Sequence, residues 1–139
     1  MIVLDTNVLS EALRRAPDAR VMAWLDAQPR SSLFTTAITR AEIFYGLCLL
    51  PDGSRRRELT RAVETIFDED FSGRILGFDS DAADAYAATA VVRRNAGRPI
   101  SQFDAMIAAV ARSRGAALAT RNVKDFTDCG ISVIDPWAF

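Results

Sequence analysis

The run Ile2-Val3-Leu4-Asp5-Thr6-Asn7 constrains this chain more than any other stretch. Apolar residues without polar alternation suit a strand covered on both faces, as in a parallel sheet. The run then meets an acid and two small polar residues, which places Asp5 where the strand leaves the sheet. Distant segments are expected to bring other acids to this carboxylate, and the cluster to bind a divalent metal.

The following segments alternate strand and helix signals. A short helix is expected over Thr6–Arg15, and another begins at Val21 and closes before Pro29. Ser32–Thr36 reads as a second strand. Thr39-Arg40-Ala41-Glu42 has the form of a capping box, with Ile38 and Ile43 spaced for a hydrophobic staple and Ile43, Leu47 and Leu50 at helical spacing. Ser54–Glu69 is a charged amphipathic helix bearing Arg55, Arg56, Arg57 and Arg61, a solvated face or a contact for an acidic partner or RNA.

Arg74–Phe78 is read as a short strand and Ser80–Asn95 as an alanine-rich helix ending at Gly97. Asp79, Asp81 and Asp84 at its start are read as capping and dipole residues before any catalytic role. Ser101-Gln102-Phe103-Asp104 repeats the capping-box pattern. Ala116–Thr120 makes a small-residue strand, Asn122-Val123-Lys124-Asp125 resembles another cap, and Ile131–Ile134 is the final strand. Alternation of this kind predicts an α/β fold with a central, mainly parallel sheet covered on both faces. At 139 residues the chain is expected to form a single domain, residues 1–139.

Composition narrows the chemistry. There is no histidine, which removes histidine bases and most zinc sites. Cys48 and Cys129 stand apart without CxxC spacing and are expected to be ordinary thiols, with a disulfide or redox pair as the alternative. Seventeen basic residues nearly balance eighteen acidic ones, for a formal net charge of −1, so overall charge neither announces nor excludes a nucleic-acid partner. With no signal peptide or membrane-length apolar run, a cytoplasmic protein is expected.

In an α/β sheet the strand ends and following helix starts gather on one edge, which would bring together Asp5, Glu42, Asp104 and Asp125. Glu42, Asp104 and Asp125 each follow a Thr, Ser or Asn by three residues, so helix capping explains each one singly. Capping does not explain an acid at the end of the first strand together with three acidic caps on one edge. Clustered carboxylates repel one another unless a cation compensates, and all-oxygen donors favour magnesium or manganese. Thr6, Asn7, Thr120 and Asn122 would orient water or phosphate there, with ordinary turn and cap roles as the alternative.

Met1–Asn7, the acid in Thr39-Arg40-Ala41-Glu42-Ile43, the segment Gln102–Ala109 and the segment Leu118–Phe126 together resemble the PIN-domain ribonucleases. Their order and spacing are similar to the toxin subunits of VapBC-type toxin–antitoxin pairs, across essentially the whole chain. The resemblance implies a PIN-like three-layer α/β/α sandwich and endonucleolytic cleavage of RNA dependent on Mg2+ or Mn2+. It also implies a homodimer, inhibition by a small cognate antitoxin, and a larger assembly with it. By position, Asp5, Glu42 and Asp104 would form the acidic core and hold the metal, with Thr6, Thr120, Asn122 and Asp125 completing the catalytic group. Family members carry Asp or Asn at the place of Asn122, so the fourth carboxylate is either Asp125 or absent. Two other classes stay open: a magnesium-binding phospho-acceptor module, and an interaction protein whose acids only cap helices.

Overall fold

The computed structural model describes all 139 residues. Five strands, β1 (Ile2–Leu4), β2 (Leu33–Thr36), β3 (Ile75–Leu76), β4 (Ala117–Ala119) and β5 (Val133–Ile134), form one sheet in the order β3-β2-β1-β4-β5. Every pairing is parallel. Six helices connect and cover them: α1 (Thr6–Ala12), α2 (Ala19–Ala27), α3 (Ala37–Cys48), α4 (Ser54–Thr65), α5 (Ser80–Asn95) and α6 (Gln102–Ser113). This is the three-layer α/β/α arrangement that the alternating pattern implied.

The period of two along a strand divides the core. Leu4 and Ala119 face one side, where they join Val8, Leu9, Val21, Trp24, Leu47, Phe67 and Trp137. Val3 and Leu118, one residue earlier in the same strands, face the other side with Ala82, Ile107, Ala108, Ala111 and Phe126. Each face of the middle strands therefore has its own cluster, which is why Ile2-Val3-Leu4 carries no polar residue. No helix is long and apolar enough to cross a membrane.

Several boundaries differ from expectation. Helix α3 begins two residues before Thr39: Thr36, the last residue of β2, is its N-cap and accepts a hydrogen bond from the Thr39 amide at 3.0 Å. The strand runs directly into the helix, so Glu42 lies in the second turn and is not a capping residue. Helix α1 stops at Ala12 rather than Arg15. The helix expected over Ser54–Glu69 is α-helical only to Thr65 and then widens into a π turn over Ile66–Asp70, closed by the Phe71 amide donating to the Ile66 carbonyl at 2.9 Å. The strands β3 and β5 are each two residues long. Asp79 does cap α5, accepting from the Ala82 amide at 2.9 Å. Both cysteines are free, Cys48 exposed and Cys129 buried.

Candidate active site

Strand order reverses at β1, whose neighbours β2 and β4 lie on opposite sides, and crevices in parallel sheets open at such a point. Asp5 sits there as the N-cap of α1, with only 4% of its surface exposed. Its two carboxylate oxygens have different partners. Oδ1 accepts from the Thr6 amide at 2.8 Å, and Oδ2 accepts from the Thr120 hydroxyl at 2.7 Å. The Asp5 amide donates to the Ala119 carbonyl at 2.9 Å, continuing the β1–β4 ladder to the edge of the sheet.

Thr120 is fully buried and serves as a hub. While donating to Asp5, its oxygen accepts from Asn7 Nδ2 at 3.2 Å and from the Asn122 amide at 3.1 Å. Asn7 Oδ1 accepts from the Arg121 amide at 3.3 Å, so α1 and the segment after β4 are laced together.

A second network reaches Glu42. The Thr6 hydroxyl lies 2.9 Å from Glu42 Oε1 and 3.1 Å from the Thr39 hydroxyl, which is 3.4 Å from that of Thr36. With one proton per hydroxyl, Thr6 donates to the carboxylate, and Thr39 is left to donate to Thr6. Sequence reasoning read Thr39 as a helix cap and missed this role; two threonines at a strand end followed by a third, three residues later, were the only signal. Asp104 is the third residue of α6, in its first turn, where its amide donates to the Ser101 hydroxyl at 3.3 Å. Only the Ser101 half of the expected capping box forms, with no return bond from the Asp104 carboxylate to the Ser101 amide, which leaves that carboxylate to the acidic group.

Three carboxyls are electrostatically linked. Asp5 is raised from 3.8 to about 6, chiefly by burial and to a lesser degree by the charges of Asp104 and Glu42, against the lowering effect of its Thr120 and Thr6 hydrogen bonds. Glu42 is raised by burial, partly offset by Thr6, with Asp104 adding to the rise. Asp104 is raised by burial, partly offset by Ser101, with Asp125 adding to the rise. No basic side chain is among the groups acting on these three.

The Asn122–Asp125 segment is a 3-10 turn over Val123–Phe126 with no side-chain cap; the Asp125 amide bonds the Asn122 carbonyl at 3.0 Å. Its expected capping role is therefore not formed, and both Asn122 and Asp125 are exposed. Arg93, nearly buried at the end of α5, holds this turn by donating from Nη1 to the Thr127 carbonyl at 3.0 Å and the Thr127 hydroxyl at 2.9 Å.

No three acidic side chains close on one point as a ready-made ion cage. The donor set nevertheless fits a hard divalent ion: it is all oxygen, the nearest basic side chains, Arg121 and Lys124, belong to the turn that carries Asn122 and Asp125, and magnesium is commonly held by one or two carboxylates with the rest of its shell supplied by water and phosphate. The group lies on an open edge of the sheet. An apolar concavity lined by Leu9, Met22, Leu25, Ile66 and Phe71 contains none of these acids.

The PIN domain family model matches residues 2–129, from the first strand through the turn that follows β4. The chain belongs to the PIN-domain family. Over 137 residues this PIN domain is 41% identical to a VapC ribonuclease of Sinorhizobium fredii, covering 99% of this chain and 98% of the relative. It is 39% identical to the toxin FitB of Neisseria gonorrhoeae, again over 137 residues and 99% of each. Among solved structures it resembles FitAcB from Neisseria gonorrhoeae, with a TM-score of 0.91, 37% identity and full coverage of both chains. Membership of this family runs against the phospho-acceptor and purely structural alternatives.

Proposed function

We propose that this PIN domain is the toxin of a toxin–antitoxin pair and acts as a divalent-metal-dependent endoribonuclease. The reading is supported by relatives named as a VapC ribonuclease and as a toxin. The observation that carries it to particular residues is the seating of Asp5 between the Thr6 amide and the Thr120 hydroxyl, with Glu42 and Asp104 both raising its proton affinity.

Asp5, Glu42 and Asp104 would hold Mg2+ or Mn2+. Such an ion, when bound, polarises a phosphodiester and makes water a better nucleophile near neutral pH. The chain's own residues orient the group. Thr120 and the Thr6 amide fix both oxygens of Asp5, so its carboxylate does not rotate. Thr6 engages Glu42 Oε1 and leaves Oε2 free for the ion or for the water it would activate. Asn7 and Asn122 fix Thr120, and through it Asp5. A small cognate antitoxin is the proposed inhibitor, and a homodimer, or a larger assembly with the antitoxin, the proposed working form.

The test is direct. Protein purified free of antitoxin is incubated with RNA in Mg2+, in Mn2+ and in chelator, beside Asp5→Asn and Asp104→Asn. Cleavage is expected only with the ion and only in the parent protein, the variants losing roughly 100-fold or more. Full activity in either variant would show that the assignment is wrong.

A further inference from the structure

The arginines of this chain are mostly engaged. Arg14, Arg20, Arg40, Arg98 and Arg114 each pair with a carboxylate, Arg74 and Arg93 donate to main-chain carbonyls, Arg112 bonds Thr89, and Arg121 lies over Trp137. Arg15, Arg30 and Arg94 are exposed and stand singly without such partners, whereas helix α4 gathers several in one place. Arg55, Arg56 and Arg61 have neither an ion pair nor a side-chain hydrogen bond, and Arg57 has only a 4.0 Å approach to Asp52, itself 90% exposed. Arg55, Arg57 and Arg61 are exposed, and Arg56, Arg57, Thr60 and Arg61 line one shallow concavity with Asp52.

This concentration of charge works against the helix. The first turn of α4 holds no acid, its N-cap is Gly53 without a side-chain bond, and three consecutive arginines follow. Cations near the positive end of a helix destabilise it. With a net charge of −1, the chain does not carry these residues as part of a generally basic surface.

The position is also informative. Helices α3 and α4 form an antiparallel hairpin whose open end is closed by Arg40 and Asp68 at 3.1 Å and by Phe44 against Phe67, ring centres 6.1 Å apart. Glu42 lies in the second turn of α3, and from there the helix rises about 9 Å to Cys48 before the chain turns into the arginines. They therefore stand at the far end of an arm that begins in the acid site.

We infer that the arginine face of α4 is a binding surface for the phosphate backbone of the RNA, holding the strand a few nucleotides from the acid site. The inference rests on the ribonuclease reading of that site. Exposed guanidinium forks suit phosphate oxygens, and apart from the exposed Arg57–Asp52 approach there is no internal partner to displace. No base is read there; the surface contributes affinity and register.

The test uses the full chain carrying Arg55→Glu, Arg57→Glu and Arg61→Glu, with Asp104→Asn added to prevent cleavage during binding. Anisotropy of a labelled single-stranded RNA is measured from 50 to 300 mM salt. Each lost phosphate contact lowers the slope of log affinity against log salt by about 0.7, so a fall of roughly 2 is expected, with at least a tenfold loss of affinity at low salt. The acids introduced at positions 55 and 57 favour the first turn while the one at 61 falls three residues from Glu58 and Glu64, so thermal stability should stay close to that of the parent, which separates lost binding from misfolding. Unchanged affinity and slope overturn the inference, as does loss of antitoxin binding with RNA affinity intact, which assigns the surface to a protein partner. Charge-dependent RNA binding without any cleavage by the parent protein would instead sustain the surface and count against the ribonuclease reading, so the two failures are distinct.

Discussion

The Thr120 hydroxyl donates to Asp5 Oδ2 at 2.7 Å across the β1–β4 seam, although the two residues are 115 positions apart. Thr120→Val keeps the shape and removes the donor, leaving a buried carboxylate oxygen without its partner. A stability loss of about 1.5–3 kcal/mol is expected, with cleavage reduced roughly 10- to 100-fold. Thr120→Ser should restore most of both. Equal activity in the valine and parent proteins would show that the hydroxyl does not position Asp5.

Stability without metal should fall as pH rises. Asp5 titrates near 3.8 when unfolded and at about 6 when folded, so between those values the native state binds more protons and loses stability with each increment of pH. The span corresponds to about 3 kcal/mol, present below pH 4 and lost by pH 6. Glu42 and Asp104 shift in the same direction and add to the slope. Urea unfolding in chelator across this range checks it. Asp5→Asn should flatten the curve, and Mg2+ should restore stability above pH 6.

Arg93 holds the turn that carries Asn122 and Asp125. Arg93→Met fills the space but leaves the Thr127 carbonyl without its donor, for an expected cost of about 1–3 kcal/mol. Amide exchange should quicken at residues 123–129 before it does in α6. Uniform quickening across both segments would argue for a purely global effect.

The two candidates for a fourth acid should respond differently. Asn122→Asp adds a carboxylate beside the group and should tighten Mn2+ binding measured by calorimetry. Asp125 is exposed and acts on Asp104 by charge alone, so Asp125→Asn should change kcat/KM by less than tenfold while Asp104→Asn costs 100-fold or more. A larger loss from Asp125→Asn than from Asp104→Asn would reverse the assignment.

Much of the architecture was legible because its signals are local. Ser80–Asn95 forms over the expected residues, since Asp79 caps it and Gly97, at φ 72°, follows its end. Asp5 at a strand exit was legible from three apolar residues stopped by an acid. The start of α3 was misplaced because Thr36 and Thr39 both suit a cap, and only the pairing of β2 decides between them. The strands β3 and β5 were overextended because two paired residues leave almost no periodic trace. The hydroxyl relay from Thr39 through Thr6 to Glu42 joins segments more than thirty residues apart, and nothing in the spacing of either segment specifies it.

The strand order sets a schedule for synthesis. β1, the centre of the sheet, emerges before every other strand, whereas its neighbour β4 and the donor Thr120 follow more than a hundred residues later. A domain folds as a unit, once the segments that complete it have left the ribosome. Asp5 therefore waits, unclamped, while most of the protein is made, and Asp104 appears only shortly before Thr120. A nascent chain of this topology carries its first acid throughout translation yet completes the cluster almost at the end, a built-in delay for an enzyme that would attack the RNA of the cell producing it.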